Sequence, residues 1–133
     1  MEFYVIIMID GWESTKVKIL RGDSMPNTIN DILNDFTNKV RRLLGNRVKR
    51  IILYGSYARG DYNKNSDIDI MILTDLNYEE IENYRDKISD IAFDIELEKG
   101  VILSPVIKNV DTYNARLNVN PFYTNVNKEG VVI

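Results

Sequence analysis

A chain of 133 residues, 44% hydrophobic and 28% charged, has apolar material for one core and little for a second, so one globular domain is expected. It has no cysteine and no histidine, which excludes disulfides, thiolate nucleophiles, Ser-His-Asp chemistry and the usual zinc ligands together. A net charge of −3 disfavours nucleic acid and anionic membrane as partners, with a local basic patch still open. Without cysteine and histidine, carboxylates, hydroxyls, lysine, arginine and hard metal ions carry the chemistry.

Residues 1–25 differ from the rest, with weak alternation and no helical stripe, and they end at Met25-Pro26. Two readings stay open: an edge strand or hairpin, or an extension preceding a native start at Met25. Codons for Arg21-Gly22-Asp23 can spell the purine run that precedes a bacterial start, and N-terminal mass analysis of the natural product separates the two. The apolar stretch "FYVIIMI" (3–9) follows a glutamate, lacks a basic flank and has no small-residue cleavage site. No apolar run approaches the roughly 18 to 20 residues of a membrane span, and a cytoplasmic protein is expected.

Regular patterning starts at Asn27. Ile29, Ile32, Leu33, Phe36, Val40, Leu43 and Leu44 form one stripe at helical spacing, opened by Asn27 or Thr28 and closed by Gly45. The segment "VKRIILYG" (48–55) then becomes continuously apolar, as an inner strand would. "SYARG" fits one helical turn, "DYNKNS" is rich in turn formers, and "DIDIMIL" (67–73) resumes a strand. A long helix is predicted from about Tyr78 to Lys99, with Ile81, Tyr84, Ile88, Ile91, Ala92 and Ile95 as its buried stripe and Gly100 as its stop. "VILSPVI" (101–107) reads as a third strand, Asn118, Asn120 and Pro121 mark a break, "FYTNVNKEG" fits a short helix, and "VVI" a last extended piece. This order predicts a small α/β domain with helices packed on a mixed sheet, spanning 26–133.

The chemistry concentrates in "ILYGSYARGDYNKNSDIDIMIL" (52–73). Strand alternation puts Asp67 and Asp69 on one face and Ile68, Ile70 and Ile72 on the other, with the two acids roughly 6 to 7 Å apart at Cα. Two such carboxylates beside an apolar sheet repel each other and are costly to desolvate. A divalent cation relieves both costs, and an all-oxygen ligand set selects Mg2+, with Mn2+ as an alternative, leaving positions for water and substrate phosphate. On "DID" alone, two solvated acids at the exposed start of an edge strand explain the pattern as well. Gly55-Ser56 adds weight to the cation: Gly55 lets the backbone turn sharply and another group approach, and Ser56 offers a hydroxyl and a helix-start N–H to phosphate.

Gly55-Ser56, ten residues, then Asp67-Ile68-Asp69, together with Ala58-Arg59-Gly60 and Ser66, resembles the signature of the DNA polymerase beta-like nucleotidyltransferase superfamily, in particular its minimal nucleotidyltransferases. The resemblance covers 27–107 and implies the nucleotidyltransferase fold. It implies that Gly55 and Ser56 hold the triphosphate of ATP or another nucleoside triphosphate and that the catalytic acids Asp67 and Asp69 hold metal. Arg59 would assist with phosphate charge or serve a local salt bridge, and Asp61 would serve the turn. Fully equipped members carry a third carboxylate on the next strand, which can act as base. Here that strand, "VILSPVI", has no acid, and Asp94, Glu96 and Glu98 fall on the preceding helix, where solvated charge is expected.

Many such proteins are partners of HEPN-domain toxins. Two functions follow: transfer of a nucleoside monophosphate, AMP foremost, to a hydroxyl of a HEPN-type partner, or neutralisation of that toxin by contact alone on a retained fold. Homo- and hetero-oligomers both stay open.

Overall fold

The structure is a computed structural model that describes residues 3–9, 12–19 and 27–133. Met25 and the expected capping side chains of Asn27 and Thr28 lie outside what is described. Strands β1 (Phe3–Ile9) and β2 (Trp12–Ile19) pair antiparallel as a separate two-stranded sheet, one of the two forms open to this region.

Helix α1 (Asn27–Leu44) is followed by a tight 3-10 turn at Gly45–Arg47 and then by β3 (Val48–Tyr54). The four-residue helix α2 (Ser56–Arg59) leads through a polar loop to β4 (Ile68–Thr74). The long helix α3 (Tyr78–Lys99) follows, then β5 (Leu103–Asn109). Two short helices, α4 (Val110–Ala115) and α5 (Pro121–Glu129), precede β6 (Val131–Val132). Strand order in the main sheet is β5-β4-β3-β6, parallel between β4 and β5 and antiparallel elsewhere, which is the expected mixed sheet.

Local chemistry sets the ends of α3. Asn77 accepts from the Glu80 N–H while the Glu80 carboxylate accepts from the Asn77 N–H, so two first-turn donors are satisfied reciprocally. Its far end closes on Gly100 in the left-handed region at φ 72°.

The sheet has two covered faces, and this decides where the site lies. Ile51 and Leu53 of β3 join Ile68, Ile70 and Ile72 of β4 in a core built with α1 and α3. The alternate residues Ile52, Met71 and Leu73 face the other way, in a smaller core with Tyr113 of α4 and Tyr123 and Val126 of α5. The aromatics of the C-terminal stretch thus serve mainly as packing, although Phe122 stays 41% exposed. Helix α4 was not anticipated from sequence, because six residues are too few to display a helical period. No helix among the described residues is long and apolar enough to cross a membrane.

Phe36 is fully buried between α1 and the sheet. Phe36→Ala is expected to cost about 3–5 kcal/mol through lost burial and a residual cavity. Urea denaturation will show this as a lower midpoint at unchanged slope, and an unchanged midpoint contradicts the packing described.

Candidate active site

Antiparallel pairing of β3 with β4 sets Tyr54 opposite Asp69 as the last pair before the chain turns at Gly55. Gly55 adopts φ 76°, a region that side chains rarely tolerate. A Cβ at this position would collide with Oδ2 of Asp69. The backbone therefore turns directly under a carboxylate, and only glycine permits both the dihedral and the approach. Ser56 opens α2 immediately after it, where first-turn N–H groups lack intrahelical acceptors. Gly60 closes this turn at φ 85°, donating to the Ser56 carbonyl at 2.9 Å.

The acids differ in setting. Asp69 lies within β4 and is half-buried, whereas Asp67 is exposed and directly precedes the strand, so the expected strand pairing of both holds only for Asp69. Asp67 is nevertheless held near the same place. The Ile68 N–H donates to the Ile102 carbonyl at 2.8 Å, and the Ser104 hydroxyl donates to Asp67 Oδ2 at 3.4 Å. The parallel register puts Ser104 opposite Asp69, so the neighbouring strand supplies a hydroxyl beside the acids. The loop before Asp67 is a polar turn, with Ser66 Oγ accepting from the Asn63 N–H at 2.9 Å.

Partial burial raises the Asp69 pKa above the ordinary aspartate value, and the negative charge of Asp67 raises it further. Arg59 pulls in the opposite direction, while Glu129 adds to the rise. Burial, and then the charge of Asp69, also pushes the Tyr54 hydroxyl up to about 12, so it stays protonated at neutral pH. Among the described residues, the pull of Arg59 does not offset the effect of burial and of Asp67 on Asp69.

Arg59 lies between two acids, donating from Nε to Asp61 at 3.1 Å and from Nη1 to both Glu129 oxygens at 3.2 Å. Asp61 thus has two roles, since its N–H also closes the turn on the Ser56 carbonyl at 3.1 Å. Glu129 was missed in sequence, being 70 positions from Arg59 with no local pattern linking them. Glu96 is not merely solvated: Oε1 accepts from the Leu103 N–H at 2.8 Å and anchors the start of β5.

Hard oxygen donors from Asp67, Asp69 and Ser104 fit a cation that keeps water and phosphate among its ligands. Among the described residues no group of three or more His, Cys, Asp or Glu side chains gathers closely enough to enclose an ion, so the protein would grip it from one edge.

A mixed sheet that ends in a glycine-serine turn beneath one of two neighbouring aspartates defines a nucleotide-transfer class of fold and site. Residues 33–120 match the family model of the nucleotidyltransferase domain, and the chain belongs to that family. A protein of Methanocaldococcus jannaschii provisionally named protein adenylyltransferase MJ0604 is 35% identical over 101 residues, 76% of this chain and 93% of that one. A second from the same organism, provisionally named protein adenylyltransferase MJ0141, is 36% identical over 79 residues, 58% of this chain and 76% of its own length. In fold, the chain is similar to a crystal structure from Sulfolobus solfataricus described provisionally as a nucleotidyltransferase, with a TM-score of 0.57 at 16% identity over 85% of this chain and 87% of that one. The enzyme class that these findings support is a nucleotidyltransferase.

Because Asp69 binds its proton more tightly folded than unfolded, folding stability falls as pH rises from the ordinary aspartate value to the raised one, and the deficit persists above it. Asp69→Asn removes that deficit. Without divalent ions it is expected to raise Tm at pH 7, with the gain vanishing below about pH 4, near the unfolded pKa. Scanning calorimetry across pH tests this, and a lower Tm at pH 7 contradicts it.

Proposed function

We propose that the protein is a Mg2+-dependent adenylyltransferase of the cytoplasm, with Mn2+ able to substitute, which moves AMP from ATP to a hydroxyl on a partner protein. The proposed acceptor is a HEPN-type toxin. The observation that carries this reading is the Asp69 carboxylate lying against the Gly55 backbone, next to Ser56. Metal-ligating acid and phosphate-binding turn then share one small volume, as transfer at an α-phosphate requires. The names borne by the Methanocaldococcus relatives support adenylyl transfer and a protein acceptor.

Asp67 and Asp69 would hold the cation, which when bound neutralises charge on the phosphate oxygens. Ser56 donates its hydroxyl and its N–H to the triphosphate, and Gly55 leaves the space that lets phosphate come close. Arg59 gives up exposed ion pairs, which contribute little net stability, for a charge-assisted bond to phosphate. The hydroxyl of Ser104 steadies Asp67.

A second reading is favoured by Ser104, which puts a hydroxyl rather than an acid opposite Asp69. On that reading the protein neutralises the toxin by contact and retains the fold without the reaction.

Incubation with ATP labelled at the α-phosphate, Mg2+ and a HEPN-type partner protein is expected to label that protein. Asp67→Asn and Asp69→Asn are each expected to abolish the label, as is chelation of the metal. Neutralisation that survives both substitutions, with no label in the wild type, establishes the contact reading instead.

A further inference from the structure

Glu129 ends α5, and the backbone fixes its position. The Gly130 N–H donates to the Val126 carbonyl at 2.8 Å, and a Cβ on Gly130 would collide with that carbonyl oxygen and with Ile52 Cγ2. From there β6 pairs with β3, Val131 opposite Leu53, and the antiparallel register leads back toward Tyr54, the partner of Asp69. The end of α5 is thereby pinned beside the turn that carries Gly55. The side chain, 28% exposed, takes Arg59 Nη1 on both oxygens at 3.2 Å, and its charge reaches Asp69.

Transfer to a hydroxyl needs somewhere for the hydroxyl proton to go. Asp67 and Asp69 are committed to the cation, and the residue opposite Asp69 on β5 is Ser104, which is a poor base. Asp61 is 63% exposed and takes Arg59 Nε. Among the described residues, Glu129 is then the other carboxylate on Arg59, at the end of α5 that the pairing of β6 with β3 sets beside the Gly55 turn. It also lies beyond residues 33–120, outside the span matched by the family.

We infer that Glu129 is the proton acceptor of the transfer, held on Arg59 until the triphosphate arrives. This rests on the adenylyl-transfer reading above. A triphosphate carries more charge than one carboxylate and draws the Arg59 guanidinium to itself, which releases Glu129 at the end of α5. The acceptor hydroxyl passes its proton to Glu129 as its oxygen forms a bond to the α-phosphorus. The bond from that phosphorus to the bridging oxygen breaks, and its electron pair leaves with pyrophosphate, which Arg59 now faces.

The test uses the full chain, the labelled-ATP assay and calorimetric binding of ATP with Mg2+. Glu129→Gln is expected to slow single-turnover transfer about a hundred-fold or more, the usual contribution of a positioned base. It is expected to bind ATP at least as tightly as the wild type, because a competitor for Arg59 is gone. Formate should restore part of the rate in Glu129→Ala and none in Asp67→Asn. A wild-type rate in Glu129→Gln overturns the inference and leaves adenylyl transfer intact. Weaker ATP binding with an unchanged rate at saturating ATP also overturns it, since Glu129 would then only anchor Arg59. A wild type that never labels its partner removes the transfer reading and this inference with it.

Discussion

A carboxylate resting on a glycine backbone is the constraint from which the rest of the site follows. The pairing of Tyr54 with Asp69 sets the last ladder position of β3 against the acid, and the chain must then turn at once. A positive φ and the absence of a Cβ are both required at Gly55, so a single residue type meets the dihedral and the steric demand. The consequence is electrostatic. Asp69 is partly removed from water next to Asp67, and among the described residues the positive charge acting on it is that of Arg59, which Asp61 and Glu129 already hold. That excess of negative charge is what supports the proposed cation.

The two faces of the sheet divide stability from chemistry. α1 and α3 cover one face with long apolar stripes, and that core includes Ile68, Ile70 and Ile72, the residues alternating with Asp69. On the other face α4 and α5 cover only the middle, with Tyr113, Tyr123 and Val126 over Ile52, Met71 and Leu73. Asp69 and Ser104 at the strand ends lie past that smaller core, Asp69 half-buried and Asp67 exposed, while Tyr54 packs against its edge. One strand of alternating residues thus anchors the domain on one side and presents an acid on the other.

Much of this was legible in the sequence, where the information was periodic or local. The stripes of α1 and α3, the stops at Gly45 and Gly100 and the apolar run of β3 predicted their elements closely, and the spacing from Gly55-Ser56 to Asp69 picked out two segments that the fold sets side by side. Three features were not legible. Helix α4 is shorter than the window in which a helical period can be recognised. Asp67 falls just ahead of the strand because pairing begins with Ile68, a boundary that composition cannot resolve. Glu129 meets Arg59 only through the tertiary course of α5 and β6, and the tight Gly130 that positions it resembles an ordinary helix stop.

The proposed reaction requires a divalent ion at Asp67 and Asp69 and a triphosphate tail against Ser56. Crystals grown with Mn2+ and an ATP analogue that cannot transfer its α-phosphate, with data collected at the manganese edge, test it most directly. An anomalous peak ligated by Asp67 and Asp69 is expected, with the α-phosphate beside it and the phosphate tail against Ser56. A peak elsewhere, or a nucleotide bound away from Gly55 and Ser56, contradicts it.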